Sequence, residues 1–234
     1  MKILCISDEI DPFIHTCTIK DRLKDVDIVL SAGDLPLTYY DFINSCLNKP
    51  LIFIFGNHNL SKKKAVEKKA LSPFTFGEEE FRQTYQTTGS IYTENKVRKI
   101  KNLLIAGLGG SRWYNGGTHQ YKEHQMFFRM LRLIPSMIFN RIFRGRYVDI
   151  LLTHAPPLGI HDKDDACHKG FKTFLWFMKW FKPKYLIHGH VHIYDINTRR
   201  KTLYHNTTVI NAYEHIIIEL EDRKNERLRT IFSS

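Results

Sequence analysis

Cysteine is scarce: Cys5, Cys17, Cys46 and Cys167 are the only four in 234 residues, and no two form a CxxC pair. That excludes a disulfide-stapled scaffold and a CxxC zinc or redox motif, and the four read as reduced thiols. Long apolar runs are absent too, since none reaches the roughly 18 residues a spanning helix needs. No internal repeat, low-complexity tract or Pro/Gly-rich linker is found, which excludes solenoids and disordered chains and offers no domain boundary. The opening residues Met1 to Asp8 meet charge too early for a secretory leader, so a cytoplasmic protein is expected. With 43% hydrophobic and 25% charged residues, a single unstapled globular domain over 1–234 is expected.

Acidic residues are the minority: 24 against 35 Lys and Arg, for a formal net charge of +11. The excess is local. Residues 61–101 carry ten basic and five acidic side chains, residues 112–146 carry seven and one, and the rest is neutral. A basic middle third points to an anionic partner: a phosphate ester, a nucleotide or nucleic acid, or an acidic lipid surface. The run Lys62-Lys63-Lys64 with Lys68-Lys69 reads as a solvated face, with steering of an anionic substrate as the alternative. Regular aromatic–basic interleaving, the mark of a nucleic-acid stacking platform, is missing.

Short apolar runs bounded by turn residues recur at Lys2–Ser7, Asp27–Ser31, Leu51–Phe55, Asn102–Ala106, Val148–Thr153, Tyr185–His188, Thr208–Asn211 and His215–Leu220. Each reads as a strand buried on both faces. Helical stretches at Thr18–Lys24 and Tyr39–Leu47 alternate with the early runs and predict an α/β fold; after residue 184 the shorter connections predict antiparallel strands. Residues 171–181 read as an aromatic helix with Trp176 and Trp180 in its core face. Residues 120–146 form a basic helical insertion within about 112–146, which Pro135 should kink or split. Gln125, Arg129, Arg132, Ser136, Asn140 and Arg144 make its narrow polar stripe. Packing of its broad apolar face onto the body, a lid or dimer contact, and docking on a membrane surface stand as its three readings.

The chemistry-bearing residues fall where apolar runs end. Asp8 follows the first, Gly33-Asp34 the second, Gly56-Asn57-His58 the third; His154 ends the fifth, and Gly189-His190-Val191-His192 follows the sixth. Open α/β sheets bind ligands outside the carboxyl ends of their strands, so these loops should share one crevice. Imidazole with carboxylate and amide oxygen suits a pair of divalent metals such as Mn, Fe, Zn or Ni. One carboxylate, Asp34, would bridge them.

In that order and spacing the motifs resemble the calcineurin-like metallophosphoesterase superfamily, whose pattern is DxH, GDxxD, GNH(D/E), a lone His and GHxH. The resemblance spans residues 8–192. It implies a four-layer α/β/β/α sandwich with two mixed β-sheets and two divalent metal ions. Asp8, Asp34 and His192 would hold one ion; Asp34, Asn57, His154 and His190 the other; His58 would protonate the leaving group. Three positions depart from the pattern: Ile10 replaces the DxH histidine, Leu37 the second Asp of GDxxD, and Asn59 the acid after GNH. Asp11, which also suits a turn before Pro12, stands as a substitute ligand, as do Glu9 and His15. His161, Asp165 and His168 follow His154 in one loop and would rim the site, although Asp165 equally reads as the N-cap of the aromatic helix.

The resemblance implies a metal-dependent phosphoesterase, either phosphodiesterase or phosphatase, acting by in-line attack of a metal-bridging hydroxide. The alternative is a catalytically silent module of the same fold that binds a protein or an anionic ligand.

Overall fold

The computed structural model describes residues 1–59, 89–195 and 197–220. Lys62, Lys63, Lys64, Lys68 and Lys69 lie outside the described residues.

Alternation in the first strand sets the layering. In β1 (Lys2–Ser7), Ile3 and Cys5 point to one side and Leu4 and Ile6 to the other, and all four are fully buried. β1 runs parallel to β2 (Val26–Ser31), which runs parallel to β3 (Leu51–Phe53) and, through it, to β4 (Ser90–Tyr92). β13 (Glu214–Glu219) closes the first sheet antiparallel to β1, giving the order β13-β1-β2-β3-β4. The second sheet comprises β5 (Val97–Ile100), β6 (Leu103–Leu108), β9 (Ile150–Thr153), β10 (Tyr185–His188), β11 (Lys201–Tyr204) and β12 (Thr207–Asn211) in the order β11-β12-β10-β9-β6-β5. β7 (Ser111–Arg112) and β8 (Gln120–Tyr121) form a separate short pair.

Ile3, Cys5, Ile28, Leu30 and Ile52 of the first sheet meet Ile105, Ile150, Leu152, Ile187 and Ile210 of the second in one continuous core. The opposite face of the first sheet is covered by α1 (Ile19–Arg22) and α2 (Leu37–Leu47), through Ile19, Tyr39, Tyr40 and Ile43. α3 (Glu123–Leu131), α4 (Ile134–Arg144) and α5 (Lys172–Phe181) cover the outer face of the second. The expected four-layer α/β/β/α sandwich of two mixed sheets is therefore the observed fold. No described helix is long and apolar enough to cross a membrane.

Several expectations need correcting. The last strands are not uniformly antiparallel: β12 runs parallel to β10, because the chain goes out to the edge strand β11 before returning beside it. β5 and β11, which the sequence did not reveal as strands, are sheet edges rich in cations and polar residues, a composition that keeps edges from pairing further. At Pro135 the expected division is a split rather than a kink: α3 and α4 part at Arg132–Leu133, and Pro135 sits in the first turn of α4, where its missing N–H costs nothing. Asp165 does not cap α5. That helix begins after Phe171, and Glu123 reaches across from α3 to accept the Lys172 N–H at 3.2 Å and the Thr173 N–H at 2.7 Å. The same carboxylate pairs with Arg112 at 2.7 Å.

Packing on the body accounts for only part of the 120–146 apolar face. Met126, Met130, Leu133 and Met137 are buried, together with Arg129 and Asn140 of the polar stripe. Arg129 turns inward because Glu94 pairs with its guanidinium and the Gly109 carbonyl accepts its N–H at 3.0 Å.

Candidate metal centre

Parallel strands from both sheets end at the same edge of the sandwich. β1, β2 and β3 deliver Asp8, Asp34 and Asn57 from one side; β9 and β10 deliver His154 and His190 from the other. Asp8, Asp34 and His190 adopt left-handed backbone angles, with φ of 68°, 58° and 66°. Such angles are disfavoured for residues bearing a Cβ and cluster at functional sites. Two glycines make room for the convergence. A Cβ on Gly56 would collide with the Asp34 carboxylate and the His154 ring; one on Gly189 would collide with Ser7 and the Asp8 carboxylate.

Hydrogen bonds fix which atoms face the centre. His154, fully buried, donates from Nδ1 to the Ala32 carbonyl at 2.8 Å. Its Nε2, the nitrogen left to face a cation, lies 3.1 Å from Asn57 Oδ1 and 3.2 Å from Asp34 Oδ2. His190 donates from Nε2 to the Cys167 carbonyl at 2.8 Å, which leaves Nδ1 as its donor atom. Both rings thus have the outer-shell carbonyl that orients metal-binding histidines. Asp34, His154 and His190 each offer one ligand atom, and the three atoms lie within 4.8 Å of one another. A carboxylate and two oriented imidazoles beside an amide oxygen fit a divalent transition metal.

Burial and mutual charge set the ionisation of these groups. Burial works against the Asp34 charge, yet the charge and hydrogen bond of His154, with the His58 N–H at 2.8 Å, bring its pKa down to about 2. Burial likewise opposes a charged His154, but Asp34 outweighs it and lifts the ring to about 9. Burial and the neighbouring His154 push His190 down to about 3, so it is neutral. Burial raises the Asp8 carboxyl against the pull of His154. Without metal, a proton held between Asp34 and His154 does part of the cation's electrostatic work.

The other expected site residues make contacts of their own. Asp8 faces the His190 backbone, accepting its N–H at 3.0 and 2.9 Å. The Nδ1 of His192 lies 2.9 Å from the Tyr194 hydroxyl, and its ring lies 4.9 Å from that of Tyr213. Neither Asp8 nor His192 joins the three-residue cluster. Asp11 is committed to other work: one oxygen accepts the Phe13 N–H at 2.7 Å, the other pairs with His215. His58 reaches the edge through its backbone N–H while its side chain is exposed. Leu37 opens α2 and packs against the helix-covered core. His161 lies 3.0 Å from Nε2 of the buried His188 and 2.9 Å from the Thr202 hydroxyl. Asp165, Cys167 and His168 form a second group of ligand-type side chains, more exposed than the first. The His168 ring lies 5.3 Å from that of His190.

Three contributors escaped the sequence reading. Asn59 Oδ1 accepts the N–H groups of both Asp34 and Gly56 at 2.7 Å, and its Nδ2 donates to the Leu35 carbonyl at 2.9 Å. The side-chain oxygen thus clips two ligand loops together. Tyr114 brings its hydroxyl 3.2 Å from Asn57 Nδ2. Cys167 acts through its main-chain carbonyl, which no side-chain pattern announces.

Comparison with known proteins points the same way. A UPF0046 protein of Caenorhabditis elegans is 24% identical over 94% of this chain and 81% of its own length. Metallophosphoesterase domain-containing protein 1 of Homo sapiens is 23% identical over 96% of this chain and 72% of its own. Among solved structures, TT1561 of Thermus thermophilus shares the fold with a TM-score of 0.56 at 12% identity, over 91% of this chain and 89% of that one. The calcineurin-like phosphoesterase family matches residues 1–194, most of the chain, and this protein belongs to it.

Proposed function

We propose that this protein hydrolyses a phosphate ester in a metal-dependent reaction. The observation that carries the reading is the convergence of Asp34, His154 and His190 donor atoms within 4.8 Å where the strands of both sheets end. Asp34, Asn57, His154 and His190 would hold one divalent ion; Asp8, Asp34 and His192 would hold a second more weakly, since Ile10 supplies no ligand. The ions, among Mn, Fe, Zn and Ni, supply Lewis acidity toward the phosphoryl oxygens and lower the pKa of water.

The chain's own residues do the rest. Ala32 and Cys167 carbonyls fix the ring orientation of the two imidazoles, so that His154 Nε2, once its proton leaves, and His190 Nδ1 would face the ion. Asn59 locks the Asp34 and Gly56 backbones to a common register. His58, exposed at the mouth, protonates the departing oxygen. The substrate class is a phosphodiester or monoester, with the basic middle third favouring a nucleotide-like polyanion. The four free cysteines fit the cytoplasm.

A second reading, a silent binding module, draws on the exposed His58, for which Leu37 replaces the family's orienting Asp, and on Asp8 and His192 outside the cluster. One experiment separates the two. Purified protein is stripped with chelator, and hydrolysis of aryl phosphodiesters and monoesters is followed after adding back each metal. Metal-restored turnover that His190→Ala abolishes supports the enzyme. Metal retained in stoichiometric amount without turnover of any ester favours the module.

A further inference from the structure

Helix α4 reverses the usual arrangement of an amphipathic helix. Its buried stripe is Leu133, Met137 and the polar Asn140, while Ile138, Phe139, Ile142 and Phe143 point outward. The last two are each 69% exposed. Positions i, i+1, i+4 and i+5 share one helical face, and the Phe139 and Phe143 rings are 4.4 Å apart, so the four side chains form one patch. Phe128, 60% exposed on the neighbouring α3, adds a further outward ring to this helix pair. Contiguous exposed apolar surface of this kind marks an interaction site.

Charge identifies the partner. Residues 124–148 contain five arginines (Arg129, Arg132, Arg141, Arg144, Arg146) and no Asp or Glu. Arg129 is consumed by Glu94 inside the fold, but Arg132, Arg141 and Arg144 are exposed. The Arg144 guanidinium lies 5.6 Å from the Phe139 ring centre, the placement of a cation snorkelling along an apolar side chain. Beneath α4 a cleft of about 420 Å³ combines Val97, Pro135 and Phe139 with the cations Lys99 and Arg144. Phosphate beside hydrocarbon is the chemistry that such a lining accepts.

We propose that the α3–α4 face docks this protein on an anionic lipid bilayer. α4 lies in the interface plane, with Ile138, Phe139, Ile142 and Phe143 in the acyl boundary and the arginines on lipid phosphates. A second copy of the chain is a poor occupant, because a self-complementary interface would set exposed arginines against arginines with no acid between them. Docking is independent of catalysis and stands whether or not the centre turns over.

The test is sedimentation of the full chain with vesicles of phosphatidylcholine alone, or carrying about 30 mol % phosphatidylglycerol. The wild-type protein binds the anionic vesicles at least about tenfold more tightly, with affinity falling as salt rises. Phe139→Ser with Phe143→Ser lowers that affinity by about tenfold or more. Arg132→Gln with Arg141→Gln lowers it by about thirtyfold. The two pairs remove different physical terms, so a misfolded variant in one pair leaves the other to decide. Absence of binding, equal binding to neutral vesicles, or unchanged binding by both pairs overturns the proposal. So does a dimer, or a complex with an acidic protein, that Phe143→Ser dissolves while vesicle binding persists.

Discussion

Asn59→Ala should damage the centre out of proportion to its size. Its side-chain oxygen accepts two backbone N–H groups, those of Asp34 and Gly56, both at 2.7 Å, and its amide donates to Leu35 at 2.9 Å. Truncation strands two donors and one acceptor in a part-buried loop. Each unmet group costs about 1–3 kcal/mol where water cannot enter and less where it can, so a loss of about 2–4 kcal/mol is expected. For a chain of this length that corresponds to a melting temperature lower by about 5–15 °C. Asn59→Asp keeps both acceptor roles with a charged oxygen and loses only the donor, so it should recover most of the stability. Thermal melts in chelator give the stability, and calorimetric titration with Mn²⁺ reports on the loops, with affinity falling by about tenfold or more in the alanine variant. An alanine variant that melts within a degree or two of wild type and binds metal equally well would refute the clip.

Other outcomes are equally specific. Tyr114→Phe removes the hydroxyl beside Asn57 Nδ2; stability should change by about 1 kcal/mol or less while metal affinity falls about tenfold, measured by the same two assays. Glu123→Ala uncaps α5 and frees Arg112, and should cost about 2–3 kcal/mol in denaturant unfolding, whereas a cost under about 0.5 would contradict the capping role. Metal-free protein should lose stability at both ends of the pH range. His161, His188 and His190 are held neutral, at about 4, 3 and 3, chiefly by burial. Below an unfolded value near 6.5 the unfolded chain therefore binds more protons, and stability falls as pH drops from there. His154 is raised to about 9 by Asp34 despite burial, so its contribution is complete below 6.5 and is lost as pH climbs through about 9. Urea midpoints in chelator at several pH values should trace that dome; a flat profile would contradict it.

Much of this was legible in the sequence, and the reasons are physical. Largely buried strands such as β1 and β10 announce themselves as apolar runs, and their ends locate Asp8 and His190 without any knowledge of pairing. Edge strands do not: β5, Val-Arg-Lys-Ile, carries two cations because its outer side meets solvent. The orientation of α3 and α4 was hidden because it depends on partners far along the chain. Glu94, 35 residues away, draws Arg129 inward, and the Tyr147 carbonyl 3.4 Å from Asn140 Nδ2 helps keep that amide inside. Helical spacing groups a stripe but does not say which stripe faces the body. At the centre, side-chain ligands follow motif spacing, whereas the Ala32 and Cys167 carbonyls that orient two of them belong to residues of any type. Asn59 shows the converse: a departure from the family pattern whose hydrogen bonds meet a structural need that a carboxylate would also meet.

The central claim is that Asp34, Asn57, His154 and His190 form the primary metal site. Anomalous diffraction from crystals grown with Mn²⁺ tests it most directly. The account predicts a strong peak bonded to Asp34, Asn57 Oδ1, His154 Nε2 and His190 Nδ1, and a weaker one toward Asp8 and His192. A principal peak at Asp165, Cys167 and His168, or none between His154 and His190, would contradict it.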